Sequence, residues 1–150
     1  MATLRLTKEF SFEAAHFLEG YPGRCSQIHG HSYRLFVTVR GTPSDDELDP
    51  YRGMVIDFGV LKQLVHEAII SWCDHALLIE DNEVAEPLRS TLEEQFENIV
   101  MLPYRPTTEN LLSDFAERLL EVLPDDVEIF SLRLHETGAS YAEWYASDNI

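Results

Sequence analysis

Positive charge is scarce in this sequence. Eleven lysines and arginines stand against 27 acidic residues, a formal net charge of −16 over 150 residues. Nucleic acids and anionic membrane surfaces both need a basic footprint, so neither is expected as a partner. Cysteine is rarer still, with only Cys25 and Cys73 present. One sits beside histidines and the other on an apolar helix stripe, and both read as reduced thiols of a cytoplasmic protein. No apolar run approaches the roughly 20 residues that cross a bilayer. The opening "MATLRLTKEF" alternates polar and apolar residues and has no signal-peptide core. Seven glycines and seven prolines leave no low-complexity linker, and no segment repeats. At 17.2 kDa, residues 1–150 are expected to fold as one domain with a sizeable core.

Periodicity supplies the elements. Leu4, Leu6, Phe10, Phe12, Ala14 and His16 share even parity, the pattern of a strand with one apolar face. His29, His31, Tyr33, Leu35, Val37 and Val39 form the same pattern on a second strand. "GTPSDDELDPYRG" then reads as a loop. Leu61, Leu64, Val65, Ala68, Ile69 and Trp72 recur at helical spacing behind Asp57, a natural N-cap. Residues 80–97 are an acidic excursion with a short helix expected near Leu88 to Phe96, and "NIVML" follows as a short strand. Thr107 or Thr108 caps a second long helix with Leu111, Leu112, Phe115, Leu119 and Val122 inside. "VEIFSLRLHET" places Phe130, Leu132, Leu134 and Glu136 on one face, and "SYAEWYA" ends the chain as a strand. The main order, ββααββ, predicts an α+β protein with an antiparallel sheet and two helices on one face.

The stretch "RCSQIHGHSYRLFVTVR" carries the chemistry. Residues two apart on a strand point to the same side, roughly 7 Å apart, so His29 and His31 project together. Hairpin pairing of the first two strands brings His16 to them. Three neutral imidazoles leave one tetrahedral position open, the pattern of a catalytic zinc site. An H-x-H pair alone is a weak signal, since strand-surface histidines are common. Two readings of Cys25 stand: a fourth ligand closing a structural site, or a thiolate just outside the metal shell acting as base or nucleophile. Asp74 and His75 adjoin at a helix end, where a carboxylate holding an imidazole makes a proton relay; a solvated helix terminus is the plainer reading. His66 reads as a surface histidine, and Cys73 as a small core residue. Glu136 ends an inward face and suits the N–H and NH₂ edge of an amidine-like heterocycle, although simple exposure at a strand end fits equally.

Taken in order, "FSFEAAHF", "CSQIHGHSY", "VIDFGVLK", "DHALL", "PTTENLL" and "HETGASY" resemble the 6-pyruvoyl-tetrahydropterin synthases and their relatives, the 6-carboxy-tetrahydropterin synthases of the QueD type. The resemblance spans nearly the whole chain. It implies a T-fold whose three-subunit rings pair into a homohexamer, a dimer of trimers. It implies that His16, His29 and His31 bind Zn2+, that Cys25 is the catalytic thiol, and that Asp74 and His75 are the second proton-transfer pair. Glu136 would anchor a pterin ring, with Thr107 and Thr108 lining the same pocket, partly across a subunit interface. The implied substrate is 7,8-dihydroneopterin triphosphate.

Cys25 lies four residues before His29, the short spacing of the carboxy branch. That branch releases acetaldehyde and triphosphate and makes 6-carboxy-5,6,7,8-tetrahydropterin, on the way to 7-deazapurines such as queuosine. The alternatives are a pyruvoyl synthase and, from another class, a non-catalytic zinc- or pterin-binding module. The negative charge is unexpected for a triphosphate substrate. Arg24, Lys62, Arg105 and Arg133 are the available cations, and the sequence assigns none of them to phosphate.

Overall fold

Parity dictates the centre of the molecule. The computed structural model describes residues 1–150. Strand β1 (Leu4–His16) and strand β2 (His29–Gly41) pair antiparallel over their full lengths, with Ala14 opposite His31 and His16 opposite His29. Their alternating residues bury Phe10, Phe12 and Ala14 from one strand and Tyr33, Leu35, Val37 and Val39 from the other. Strand β5 (Glu128–Thr137) pairs with β2, and β6 (Ser140–Tyr145) with β5, both antiparallel.

The acidic excursion departs from expectation. "ALLIE" forms a strand, β3 (Ala76–Glu80), that pairs parallel with β1 at residues 14–16. After helix α2 (Glu86–Glu93), β4 (Ile99–Leu102) pairs parallel with β3. The sheet is therefore mixed, in the order β4-β3-β1-β2-β5-β6, and not wholly antiparallel. The physical cause is the unbroken apolar run of residues 76–79. A strand covered on both faces needs no alternation, so period-2 reading passes over it. The short helix expected near Leu88 to Phe96 begins two residues earlier, at Glu86.

Helix α1 starts at Phe58, capped by Asp57 Oδ1, which accepts from the N–H groups of Gly59 and Val60 at 2.8 and 3.1 Å. It runs as Phe58–Val65, then through a π-helical turn at His66–Ile70, to a last turn at Ser71–Cys73. The extra residue of that turn rotates the buried face, so Ile70 and Cys73 join Leu61, Val65 and Ile69 inside while Trp72 is only half-buried. Trp72 Nε1 donates to the Ala68 carbonyl at 2.9 Å, satisfying an oxygen within the distorted stretch. Helix α3 (Thr108–Val122) lies beside α1 and buries Leu111, Leu112, Phe115 and Leu119. One cluster of 25 buried residues fills the space between these helices and the sheet. On β5, an irregularity opposite Thr38 and Val39 turns Phe130 out and puts Ile129 inside, a bulge that parity could not foresee.

Candidate active site

The inward parity that buries Phe12 and Tyr33 also carries the histidines to one end of the core. His16, His29 and His31 converge there, their ligand atoms all within 4.8 Å of one another. Two backbone carbonyls set their tautomers. His16 Nδ1 donates to the Pro106 carbonyl at 2.7 Å, and His29 Nδ1 donates to the Gln27 carbonyl at 2.8 Å. A carbonyl only accepts, so both protons sit on Nδ1 and both Nε2 atoms present lone pairs. Those Nε2 atoms face each other 3.0 Å apart. Two lone pairs at that distance repel unless a cation lies between them. His31 Nε2 is buried without a hydrogen-bond partner, 3.4 Å from Glu136 Oε1.

This donor set fits zinc. Nitrogen atoms at ~2.0–2.1 Å from a tetrahedral ion stand about 3.3 Å apart, near the 3.0 Å between the Nε2 atoms of His16 and His29, and all three ligand atoms lie within 4.8 Å. Burial lowers the His16 pKa, opposed by the bond to Pro106 and the charge of Glu136 and reinforced by His29 and His31. Burial also lowers that of His31, against the pull of Glu136. Neutral imidazoles are the ligating form. Tyr33 closes the floor, fully buried, its hydroxyl proton retained far into alkaline pH by burial and by the nearby charges of Glu136 and Cys73.

Glu136 stands at the edge of this cluster. Thr108, buried at the start of α3, donates its hydroxyl to Glu136 Oε2 and leaves Oε1 toward His31. Thr107 does otherwise: its Oγ1 caps α3 by accepting from the Asn110 N–H at 3.2 Å. Cys25 lies half-buried on a short 3₁₀ turn, Arg24–Ser26, and is not a member of the imidazole cluster. Its carbonyl accepts from the Leu18 N–H at 2.7 Å, which ties the turn to the chain just beyond His16.

Asp74 and His75 do pair, with Oδ1 and Nδ1 3.0 Å apart. They are docked on β1, where the Glu13 N–H donates to Asp74 Oδ1 at 3.0 Å and the His75 N–H donates to the Glu13 carbonyl at 2.6 Å. His75 holds φ at +60°, a left-handed conformation costly for a residue with a Cβ. Asn98 supports it, its Nδ2 donating to the carbonyls of Asp74 and His75 at 3.2 and 3.0 Å. The His75 side chain is 77% exposed and borders a cavity of about 910 Å³ with Glu13, Ser32, Leu92, Phe96 and Asn98. His31 and Gly30 of β2 line the same cavity, so the Asp74–His75 pair and the imidazole cluster share one open space within the chain.

Sequence reasoning missed the groups that fix the histidines. Pro106, Gln27 and Asn98 act through backbone carbonyls or on them, and no residue-type signal marks such roles. Tyr33 was legible only as core.

Fold and site together define a class: an α+β protein whose curled mixed sheet carries a cluster of three imidazoles able to hold a metal ion, beside an inward carboxylate. The sequence model of the 6-pyruvoyl tetrahydropterin synthase family matches residues 5–147, and the chain belongs to that family. A protein of Haemophilus influenzae named 6-carboxy-5,6,7,8-tetrahydropterin synthase is 34% identical over 146 residues, covering 93% of this chain and 97% of its own. A Bacillus subtilis protein of the same name is 30% identical over 143 residues, covering 93% and 83%. Among solved structures, an uncharacterized protein of Wolinella succinogenes superposes with a TM-score of 0.79 at 21% identity, covering 97% of this chain and 99% of its own. The 6-pyruvoyl tetrahydropterin synthase of Caenorhabditis elegans gives 0.66 at 24%, covering 97% of each chain. These two likenesses establish the T-fold.

Proposed function

We propose that this protein is a zinc-dependent lyase that converts 7,8-dihydroneopterin triphosphate and one water into 6-carboxy-5,6,7,8-tetrahydropterin, acetaldehyde and triphosphate. The observation that carries the reading is the pinned imidazole set. His16 and His29 are each locked with Nε2 free, His31 Nε2 has no other partner, and Glu136 stands 3.4 Å away. The names of the relatives and the four-residue interval from Cys25 to His29 favour the carboxy product over the pyruvoyl one.

Each residue then has a task. Glu136, oriented by Thr108, accepts from the N–H and NH₂ edge of the pterin, a bidentate contact that sets the ring in register. His16, His29 and His31 would hold the zinc, which would supply Lewis-acid polarisation of the side-chain oxygens and so acidify the adjoining C–H bonds. Cys25, as thiolate, takes the proton from that carbon. His75, held by Asp74, returns a proton. His75 lines the cavity that His31 also borders, so it can serve the site of its own chain. The assembly is a homohexamer built as a dimer of trimers. Two sheet edges support such assembly: β6 has no outer partner, and β1 is unpaired on its β3 side over residues 4–12. No helix is long and apolar enough to cross a membrane, and two free thiols suit the cytoplasm.

The test is mass analysis of products from the zinc-loaded protein and 7,8-dihydroneopterin triphosphate. A 6-carboxy product with acetaldehyde is expected. A 6-pyruvoyl product would transfer the chain to the sister activity, and absence of turnover with zinc bound would make it a binding module.

A further inference from the structure

A polyphosphate tail needs a cation that this acidic chain has not already committed. Arg34, Arg40, Arg89, Arg118 and Arg133 are all engaged in ion pairs with carboxylates. Of the remaining arginines, Arg5, Arg24 and Arg52 are exposed, and Arg105 alone is half-buried with no ion pair. Its Nη2 donates to the Glu19 carbonyl at 3.1 Å, its guanidinium stands over the Tyr21 ring at 5.9 Å, and its Nε is buried without a partner. The Glu19 carboxylate is turned to Asn82 Nδ2 at 3.2 Å. A guanidinium is charged at every accessible pH, so this one retains uncompensated charge in a partly dry setting.

Its place relative to the site is fixed by the four residues Arg105 to Thr108. Arg105 reaches Glu19, Pro106 holds His16, and Thr108 holds Glu136. The segment thus passes the imidazoles with a carboxylate at one end and a free guanidinium at the other. Glu19 also lies on the loop that the Leu18 to Cys25 bond closes, so Arg105 borders the Cys25 turn.

We infer that Arg105 is the anchor for the polyphosphate end of the substrate, a site built opposite the ring anchor Glu136. This rests on the function proposed above. A ligand gripped by its heterocycle at Glu136 extends across the imidazoles toward Arg105, whose planar fork suits two phosphate oxygens at once. Locating one uncompensated arginine there also answers how a chain of charge −16 admits a polyanion. The other acids repel it, and Arg105 does not.

The experiment is a fluorescence titration of the zinc-loaded protein with two non-reactive ligands, neopterin and neopterin triphosphate. It compares wild type, Arg105→Gln and Arg105→Lys, with thermal melts to verify folding. Gln still offers an N–H to the Glu19 carbonyl but no charge, and Lys keeps the charge, so a merely structural role would spare Arg105→Gln. Wild type is expected to prefer the triphosphate at least about tenfold, the size of one charged hydrogen-bond contribution. Arg105→Gln should lose that preference with neopterin affinity unchanged, and Arg105→Lys should keep most of it. An unaltered preference in Arg105→Gln overturns the assignment while leaving the pterin reading intact. Failure of wild type to bind either ligand overturns the pterin reading and this assignment with it.

Discussion

Replacing Tyr104 by Phe should weaken metal binding from outside the metal site. The Tyr104 hydroxyl donates to Asp114 Oδ2 at 2.5 Å, and Arg118 Nε donates to Asp114 Oδ1 at 2.9 Å. Arg118 in turn lies over the Trp72 ring at 4.5 Å. The Asp114 side chain is only 15% exposed, so water replaces a lost donor poorly. Phe keeps the ring and its packing and removes one bond to a charged acceptor, a loss of roughly 1.5–3 kcal/mol. For a chain of this length, Tm should fall by about 3–10 °C. The second consequence is the informative one. Tyr104 holds the chain two residues before Pro106, whose carbonyl locks His16. Freeing that segment should lower zinc affinity roughly tenfold, as removal of an outer-shell partner does. Calorimetry of the metal-free variant and chelator competition with zinc measure the two effects separately. A lower Tm with unchanged zinc affinity would refute the reasoning, because Pro106 would then be positioned without Tyr104.

Three further outcomes are expected. Cys25→Ala should retain zinc and lose turnover; if the metal leaves with the thiol, Cys25 is a ligand and not a base. Zinc at about 100 times its Kd should stabilise the protein by about 2.7 kcal/mol, seen as a rise in Tm. His29→Ala should abolish that rise, and an equal rise in the variant would remove His29 from the ligand set. Stability should decline in alkali through Cys73, whose thiol is pushed up to about 12 by burial, with the charge of Asp74 adding to it. An unfolded thiol titrates near ~8.5, so above that pH the unfolded chain has shed a proton that the native state keeps. The slope is therefore negative between the two values, up to about 1.4 kcal/mol per pH unit. Urea unfolding of wild type against Cys73→Ala from pH 8.5 to 10 measures it, and parallel curves for the two proteins would count against the buried thiol.

What could be read ahead of the structure was whatever depends on strict alternation. β1 and β2 obey it throughout, so the convergence of His16, His29 and His31 followed from counting. Deviations from regular geometry were hidden. The π-turn at His66–Ile70 shifts the inner face of α1, and the bulge beside Phe130 shifts that of β5; each inserts one residue without a compositional mark. β3 was hidden for the opposite reason, since burial on both faces erases the alternation that identifies a strand. At the site, side chains were legible and backbone acceptors were not. Which way Asp74 and His75 open depends on one left-handed residue, and nothing in "CDHALL" announces it.

The segment Arg105 to Thr108 explains why the site sits at the start of a helix. An N-cap residue leaves the helical path, so the chain before it is extended and its carbonyls are free to point outward. Thr107 takes that role, with Oγ1 accepting from Asn110, and Asn110 Nδ2 secures the Arg105 carbonyl at 3.0 Å. The Pro106 carbonyl is thereby spared from the helix and given to His16. Thr108, one residue later, is already helical and buried, which aims its hydroxyl at Glu136 and away from solvent. Had the cap fallen on Thr108, the position that now serves Glu136 would serve the helix instead. The choice between two adjacent threonines thus decides which of them holds the carboxylate, and capping geometry becomes site geometry.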